Sequence, residues 1–137
     1  MATPTFDEIS ASLAHHETFV VFATTLVGWR SPATPEGRAV LEQHYQWAHR
    51  QRACGALLFA GPVDVDTFAP GAPTPVGRVT GMLVFRAASR SAAEAIARED
   101  PFHVAGFRQN VVHAWSIRFV QPEIGSAVAA AVARPLG

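Results

Sequence analysis

The stretch TPEGRAVLEQHYQWAHRQRACGALLFAGP, residues 34–62, predicts a helix followed by a strand and decides the first half of the fold. Thr34–Glu36 is a helix-start pattern, because a hydroxyl caps the helix, proline fits its first turn and an acid meets its positive end. The helix runs to about Cys54, where Gly55 provides a stop. Ala56–Pro62 then predicts a short buried strand.

The segments around this unit predict three further strands and a second core helix. Ser91 and Glu94, three residues apart, form a capping-box pattern for a helix that runs to about Glu99. Residues 63–77 are rich in proline and glycine and predict a loop. The predicted strands, which are rich in β-branched and aromatic residues, are Thr18–Val27, Arg78–Ala87 and Phe107–Ile117.

The resulting order, β-α-β-β-α-β, is the ferredoxin-like arrangement of the α+β class. We expect one domain over residues 1–137, with a core at about 18–118 and helical extensions at 1–17 and 119–137. Helices cover only one face of such an antiparallel sheet, and the other face also carries apolar residues. A second copy, packed sheet against sheet around a cavity, would cover it, so we expect a homodimer or a higher homo-oligomer.

Composition excludes several classes of function. The 11 acidic residues balance the 11 basic ones, so the chain lacks the positive surplus of a nucleic-acid-binding protein. All basic residues are Arg, and a chain without Lys cannot form a Schiff base through lysine. A single cysteine, no signal-peptide pattern and no long apolar run predict a reduced, cytoplasmic protein without a membrane partner.

His44 is the most informative histidine. At helical spacing it falls within the apolar arc that includes Leu41, Trp47 and Ala48, whereas His49 lies on the opposite, polar side. A histidine in an apolar arc is either a core imidazole bonded to the backbone or a proton-transfer group at a pocket wall. The spacing alone favours the core imidazole.

The other histidines carry weaker signals. His113 shares a strand face with Val111 and Trp115, and that face is either core or dimer cavity. His103 follows Asp-Pro-Phe and would line whatever Asp100 lines. None of these positions has the spacing of a metal site, so we expect no metal and no other cofactor.

Asp100 stands at an unusual place, after an alanine-rich helix and directly before Pro101. The residue before proline is excluded from the helical conformation, so the helix must end there. Asp100 can then cap the next turn by accepting the backbone N–H of Phe102 or His103. This turn fixes the position of the carboxylate.

Taken together, the segments from Thr18 to Arg118 resemble the YCII-related domain family. The marks of the resemblance are a histidine on the first core helix, a Gly-x-Leu-Leu-x-Ala-Gly-Pro strand end, a glycine in the third strand, and Asp-Pro-Phe with Ala-Gly after it. In this sequence they are His44, Gly55–Pro62, Gly81–Phe85, Asp100–Phe102 and Ala105-Gly106. The N-terminal extension, the 63–77 loop and the C-terminal tail depart from the short members of the family.

The resemblance implies a dimeric α/β barrel with a His–Asp pair in a pocket, formed here by His44 and Asp100. A few relatives are dehydrochlorinases, and the wider superfamily includes muconolactone isomerases and cofactor-free monooxygenases. Because the extensions can reshape the pocket, no relative's substrate is carried over.

These observations favour a cofactor-free acid/base enzyme, a lyase or an isomerase, acting on a small organic molecule. His44 would transfer the proton and Asp100 would orient it and stabilise the imidazolium. The candidate substrate-binding residues are Arg38 and His103 for an anionic or phenolic group, together with Trp47, His113 and Trp115. The alternatives are a non-catalytic ligand-binding or accessory protein and a cofactor-free monooxygenase. Access to the pair separates the first two readings, because an enzyme needs it to open onto a cavity.

Overall fold

The computed structural model describes residues 2–8, 17–64, 76–117, 119 and 121–133. Its centre is one four-stranded antiparallel sheet with the strand order β2-β3-β1-β4, the order of a ferredoxin-like fold. The α+β class and the predicted β-α-β-β-α-β order are therefore confirmed. The strands are β1 (Thr18–Thr25), β2 (Leu57–Pro62), β3 (Val79–Arg86) and β4 (Arg108–Ala114).

The helices lie between and after the strands, as the local signals predict. Thr34 caps the first helix, and its hydroxyl accepts the N–H of Gly37 at 3.1 Å. Gly55 follows that helix with a φ of 86°, a conformation that glycine adopts without the steric cost of a side chain. The helices are α1 (Pro35–Ala53), α2 (Arg90–Arg98), α3 (Pro101–Val104) and α4 (Pro122–Ala133).

The predicted capping box of the second helix is wrong. The cap is Ser89, which has an extended backbone and whose hydroxyl accepts the N–H of Ala92 at 3.1 Å. Ser91 lies inside the helix, and its hydroxyl is 3.1 Å from that of Ser89. The helix starts two residues before the pattern placed it, because Ser89, three residues after the end of β3, already accepts one of the free N–H groups of the first turn.

The prediction that β2 is a buried strand is wrong, because this strand lies at the edge of the sheet and four of its six residues are exposed. Other predicted strands differ from the structure at their ends. Both β1 and β4 stop two or three residues short of the predicted limits. Within the expected C-terminal extension the helix covers Pro122–Ala133. Within the expected N-terminal extension residues 6–8 are helical, residues 2–5 and 17 are not, and residues 9–16 lie outside the described residues, as does most of the predicted 63–77 loop.

The two faces of the sheet differ in cover. On one face α1 and α2 pack over a core that includes Val21, Phe85 and Trp47. On the other face four large apolar side chains stay 38–42% exposed among the described residues. We call this second surface the open face, and its exposed members are Phe59, Met82, Val111 and Trp115.

Candidate active site

His44 and Asp100 meet on the helix-covered side of the sheet. His44 lies in the middle of α1, and Asp100 is the cap between α2 and α3. The Nδ1 atom of His44 is 2.7 Å from Oδ1 of Asp100. The Asp100 side chain is fully buried, while the His44 side chain keeps 13% of its surface exposed. Two residues that are 56 positions apart in the sequence thus form one hydrogen-bonded pair.

The buried Asp100 carboxylate receives hydrogen bonds on both of its oxygens. The backbone N–H of Phe102 donates to Oδ1 at 3.0 Å, as the Asp-Pro pattern predicted. The side-chain amide of Asn110 donates to Oδ2 at 3.0 Å. Burial raises the pKa of Asp100, but the hydrogen bond and charge of His44, with the bonds from Asn110 and Phe102, outweigh it and leave this pKa below its ordinary value. The carboxylate is therefore ionised at neutral pH.

The ionised carboxylate fixes the tautomer of His44. A carboxylate without a proton only accepts hydrogen bonds, so the proton in the 2.7 Å contact belongs to Nδ1. The other ring nitrogen, Nε2, has no hydrogen-bond partner among the described residues. It is not fully buried, since it is absent from the polar atoms that are buried without a partner. In the neutral ring Nε2 therefore carries a lone pair that solvent or a small molecule can reach.

Aromatic rings surround the imidazole of His44. The ring centroid of Phe102 lies 4.3 Å away, and that of Trp47 lies 5.8 Å away. The indole Nε1 of Trp47 is buried without a hydrogen-bond partner. Trp47 thus lies beside the pair, but it is 3% exposed and belongs to the core, so its role as a substrate-binding wall stays a prediction.

The other predicted site residues divide between two places. His103 lies next to the pair, since its Nδ1 accepts the backbone N–H of Asn110 at 3.2 Å. Arg38 is exposed on α1 and pairs with Glu42 at 3.3 Å. His113 and Trp115 belong to the opposite side of the sheet: His113 contacts Phe22, and Trp115 is 42% exposed on the open face. The structure thus groups His103 and Trp47 with the pair but leaves Arg38, His113 and Trp115 away from it.

Sequence reasoning missed two polar residues of β4 that face the helices. Asn110 bonds to Asp100, and the guanidinium of Arg108 lies over the ring of Phe102 with its carbon 4.6 Å from the ring centroid. The alternation of β4 held the signal, because Val112 on the same face belongs to the core. A buried polar residue on a core face needs a partner, so Arg108 and Asn110 were candidates from their positions alone.

The described residues hold no group of three metal-ligating side chains. A cleft of about 590 Å³ lies between α1 and β2 and includes Tyr45, His49 and Phe59 in its lining. It is not lined by His44 or Asp100, so it is not the cavity onto which the pair was expected to open, and access to the pair is limited to the 13% of the His44 side chain that is exposed. In the part of the chain that the structure describes, no helix has the length and apolar character to cross a membrane.

Comparison with known proteins gives a family match and a distant structural likeness. The model of the YCII-related domain matches residues 22–116. The chain is similar in structure to the 5-chloro-2-hydroxyhydroquinone dehydrochlorinase TftG of Burkholderia phenoliruptrix AC1100, solved in complex with 2,5-dihydroxybenzoquinone. The two are 18% identical, with a TM-score of 0.49 over 72% of this chain and 93% of that one. No curated protein matches the sequence.

Proposed function

The chain belongs to the YCII-related domain family, and from this premise we propose that it is an acid/base enzyme that acts on a small organic molecule without a cofactor. The reaction is of the lyase or isomerase type, with dehydrochlorination as one form of it. The observation that carries the proposal is the 2.7 Å contact between Nδ1 of His44 and the ionised, buried carboxylate of Asp100, with Nε2 left accessible.

Each member of the pair has one role in this proposal. Nε2 of His44 takes a proton from the substrate, and the imidazolium that forms is stabilised by the negative charge of Asp100. The same proton returns to another substrate atom in an isomerisation. In an elimination the electron pair left by the proton expels the leaving group. Asp100 touches no substrate, so it is a positioning residue.

The surroundings of Asp100 support this assignment of roles. Its carboxylate is held by the backbone of α3 and by Asn110 of β4, so it cannot rotate away from His44 without breaking two other hydrogen bonds. The imidazole is held in turn by the rings of Phe102 and Trp47. A base fixed in this manner pays little reorganisation cost when a proton moves.

The experiment is a screen for proton transfer that compares His44→Gln with His49→Gln. Enolisable ketones, lactones and chlorinated phenols are incubated with the protein in D2O, and NMR follows hydrogen–deuterium exchange, isomerisation and chloride release. General acid/base catalysis contributes about 10²–10⁴-fold, so His44→Gln must lose at least about 100-fold of any turnover. His49 lies exposed on the same helix, so its variant keeps the wild-type rate. Turnover that survives in His44→Gln contradicts the proposal.

We also propose that a second copy of the chain covers the open face. Its four large apolar side chains are too exposed for an isolated monomer to leave in water without cost, and a formal net charge of zero offers no repulsion against association. Sedimentation velocity tests this with Val111→Glu, which places a charge on the open face. The control is Val27→Glu, at a valine that is 85% exposed on the loop after β1. A wild-type monomer, or a dimer that survives Val111→Glu, contradicts this proposal.

A further inference from the structure

Arg108 is a buried cation whose side chain has no hydrogen-bond partner among the described residues. The residue is 9% exposed, and its Nε atom is buried and unpaired. The two terminal nitrogens of its guanidinium also lack hydrogen-bond partners among the described residues. Unlike Nε, these two nitrogens are not fully buried. A buried guanidinium normally uses its five donors, because leaving them unpaired costs several kcal/mol of desolvation. Arg108 is thus a mostly buried donor group whose terminal nitrogens are not fully sealed and have no acceptor among the described residues.

Small residues of the neighbouring strands make room for this side chain. Arg108 starts on β4 and reaches across β1 to Gly81 of β3, past the methyl group of Ala23. A Cβ atom added at Gly81 would lie 2.8 Å from Nη1 of Arg108 and 3.4 Å from the Ala23 methyl. The guanidinium therefore occupies the space that a side chain at Gly81 would take.

Two aromatic rings also lie against the guanidinium of Arg108. Its carbon lies 4.6 Å from the ring centroid of Phe102 and 5.1 Å from that of Trp29. Such contacts stabilise a cation without using its N–H groups. The two rings thus hold the guanidinium in position without occupying its N–H donors. This arrangement suits a group that binds a ligand better than a structural ion pair.

Arg108 is next to the proposed catalytic pair. The ring of Phe102 that contacts the guanidinium also lies 4.3 Å from the imidazole of His44. Burial lowers the pKa of Arg108, while the charge of Asp100 acts in the opposite direction. No ion pair joins Arg108 to Asp100, whose oxygens are already bonded to His44, Phe102 and Asn110. The positive charge of Arg108 is therefore not neutralised by a direct ion pair with Asp100.

We propose that Arg108 is a substrate-binding residue that takes an anionic oxygen, a carboxylate or a phenolate, of the small molecule on which His44 acts. The statement that the bound anion is the substrate rests on the proposed function. Binding of an anion by Arg108 does not depend on that function. A planar guanidinium suits such oxygens because it donates two parallel hydrogen bonds. It also stabilises negative charge that spreads onto the oxygen when His44 removes a proton.

The test uses benzoate as the probe and benzamide as its neutral match. Both are titrated into the wild-type protein, and the side-chain NMR signals of the indole groups report binding beside Trp29. Hydrogen bonds to charged groups contribute about 1.5–3 kcal/mol, which corresponds to about ten- to hundred-fold in affinity. Arg108→Gln must weaken benzoate binding by at least about tenfold and leave any benzamide binding unchanged.

Two further variants separate anion binding from a loss of structure. Gly81→Ala keeps Arg108 but displaces its guanidinium, and the clash is with the end of a flexible side chain, so the fold survives. It must weaken benzoate binding in the same direction as Arg108→Gln. Arg98→Gln is the matched control, because this arginine is exposed on α2 and pairs with Glu94 at 3.4 Å. It removes one positive charge and must leave benzoate binding unchanged.

The outcomes distinguish this inference from the proposed function. If His44→Gln abolishes turnover and Arg108→Gln leaves benzoate affinity unchanged, the anion site is wrong and the acid/base proposal stands. If benzoate binding depends on Arg108 but turnover survives in His44→Gln, the anion site stands and the acid/base proposal is wrong. Failure of wild-type protein to bind benzoate saturably, or equal binding of benzamide, overturns the anion site outright.

Discussion

Two helix caps in this chain have the same local design and different surroundings. Thr34 and Asp100 each precede a proline, and each side chain accepts the backbone N–H of a residue in the first turn that follows. Thr34 is exposed, and its hydroxyl also donates to the carbonyl of Ser31 at 2.6 Å, which is again a local bond. Asp100 is fully buried and also holds His44 and Asn110. Capping is thus a local property, whereas the candidate site arises only where tertiary structure adds long-range partners to a cap.

The largest effect is expected when Asp100 is replaced by alanine. The change removes the acceptor of three hydrogen bonds and leaves His44, Asn110 and the N–H of Phe102 without it. A hydrogen bond to a charged group contributes about 1.5–3 kcal/mol, so the loss of three of them is expected to cost at least about 3 kcal/mol. Urea unfolding followed by circular dichroism measures this loss directly.

The matched control for this variant is Glu99→Ala, one residue earlier and exposed. Its free energy of unfolding is expected to stay within about 0.5 kcal/mol of the wild type. Equal losses in the two variants would mean that Asp100 acts only as a local element of the turn, and the comparison of the two caps would then break down.

The second effect is a pH dependence that only the buried cap produces. The pKa of Asp100 is lowered in the folded state, because the bonds from His44, Asn110 and Phe102 outweigh the opposing effect of burial. The unfolded chain therefore takes up this proton first as the pH falls. The stabilisation from Asp100 is complete above the unfolded-state pKa of about 3.9 and is lost as the pH falls through the lower folded-state value.

Urea midpoints measured between pH 7 and strongly acidic conditions test this direction, with Asp100→Asn as the comparison. The variant starts less stable at neutral pH and must lose less stability on acidification than the wild type does. Parallel curves for the two proteins would show that Asp100 has the same pKa in both states.

These predictions also show why part of the site was readable from the sequence. A cap before proline is a local pattern, so Thr34 and Asp100 were both placed correctly. Ser91 was placed wrongly, because Ser89 stands two residues before it and can cap the same helix. The path of the chain after β3 decides which serine accepts an N–H of the first turn. Local patterns fix an element's start only where one capping residue is available.

The long-range contacts of the site could be predicted from the sequence for some residues and not for others. The His44–Asp100 pair followed from a family resemblance, since no spacing rule joins positions 56 apart. Arg108 and Asn110 were overlooked because β4 presents apolar residues on both faces, and the sequence analysis weighed only the face of Val111 and His113. A buried arginine on the Val112 face needs an acceptor, and this requirement marks Arg108 as a candidate binding residue.

A smaller effect is expected at the exposed cap. Thr34→Ala removes the acceptor for the N–H of Gly37 and the donor to the carbonyl of Ser31. Loss of such a cap typically costs about 1 kcal/mol, well below the expected loss at Asp100. The urea midpoint measures it, and proton transfer by His44, three turns into α1, is expected to stay unchanged. A loss as large as that of Asp100→Ala would show that the long-range partners of Asp100 add little.

The smallest effect is expected for Thr34→Ser, and its counterpart Asp100→Ser makes the comparison sharpest. Serine at position 34 keeps the hydroxyl and both local bonds, so the free energy of unfolding should change by less than about 0.5 kcal/mol. Serine at position 100 can still cap α3, but it has no charge for His44 and no second oxygen for Asn110. Its loss should therefore approach that of Asp100→Ala. If a hydroxyl serves equally well at both positions, the carboxylate is merely a cap; if it serves only at Thr34, the requirement at Asp100 comes from His44 and Asn110.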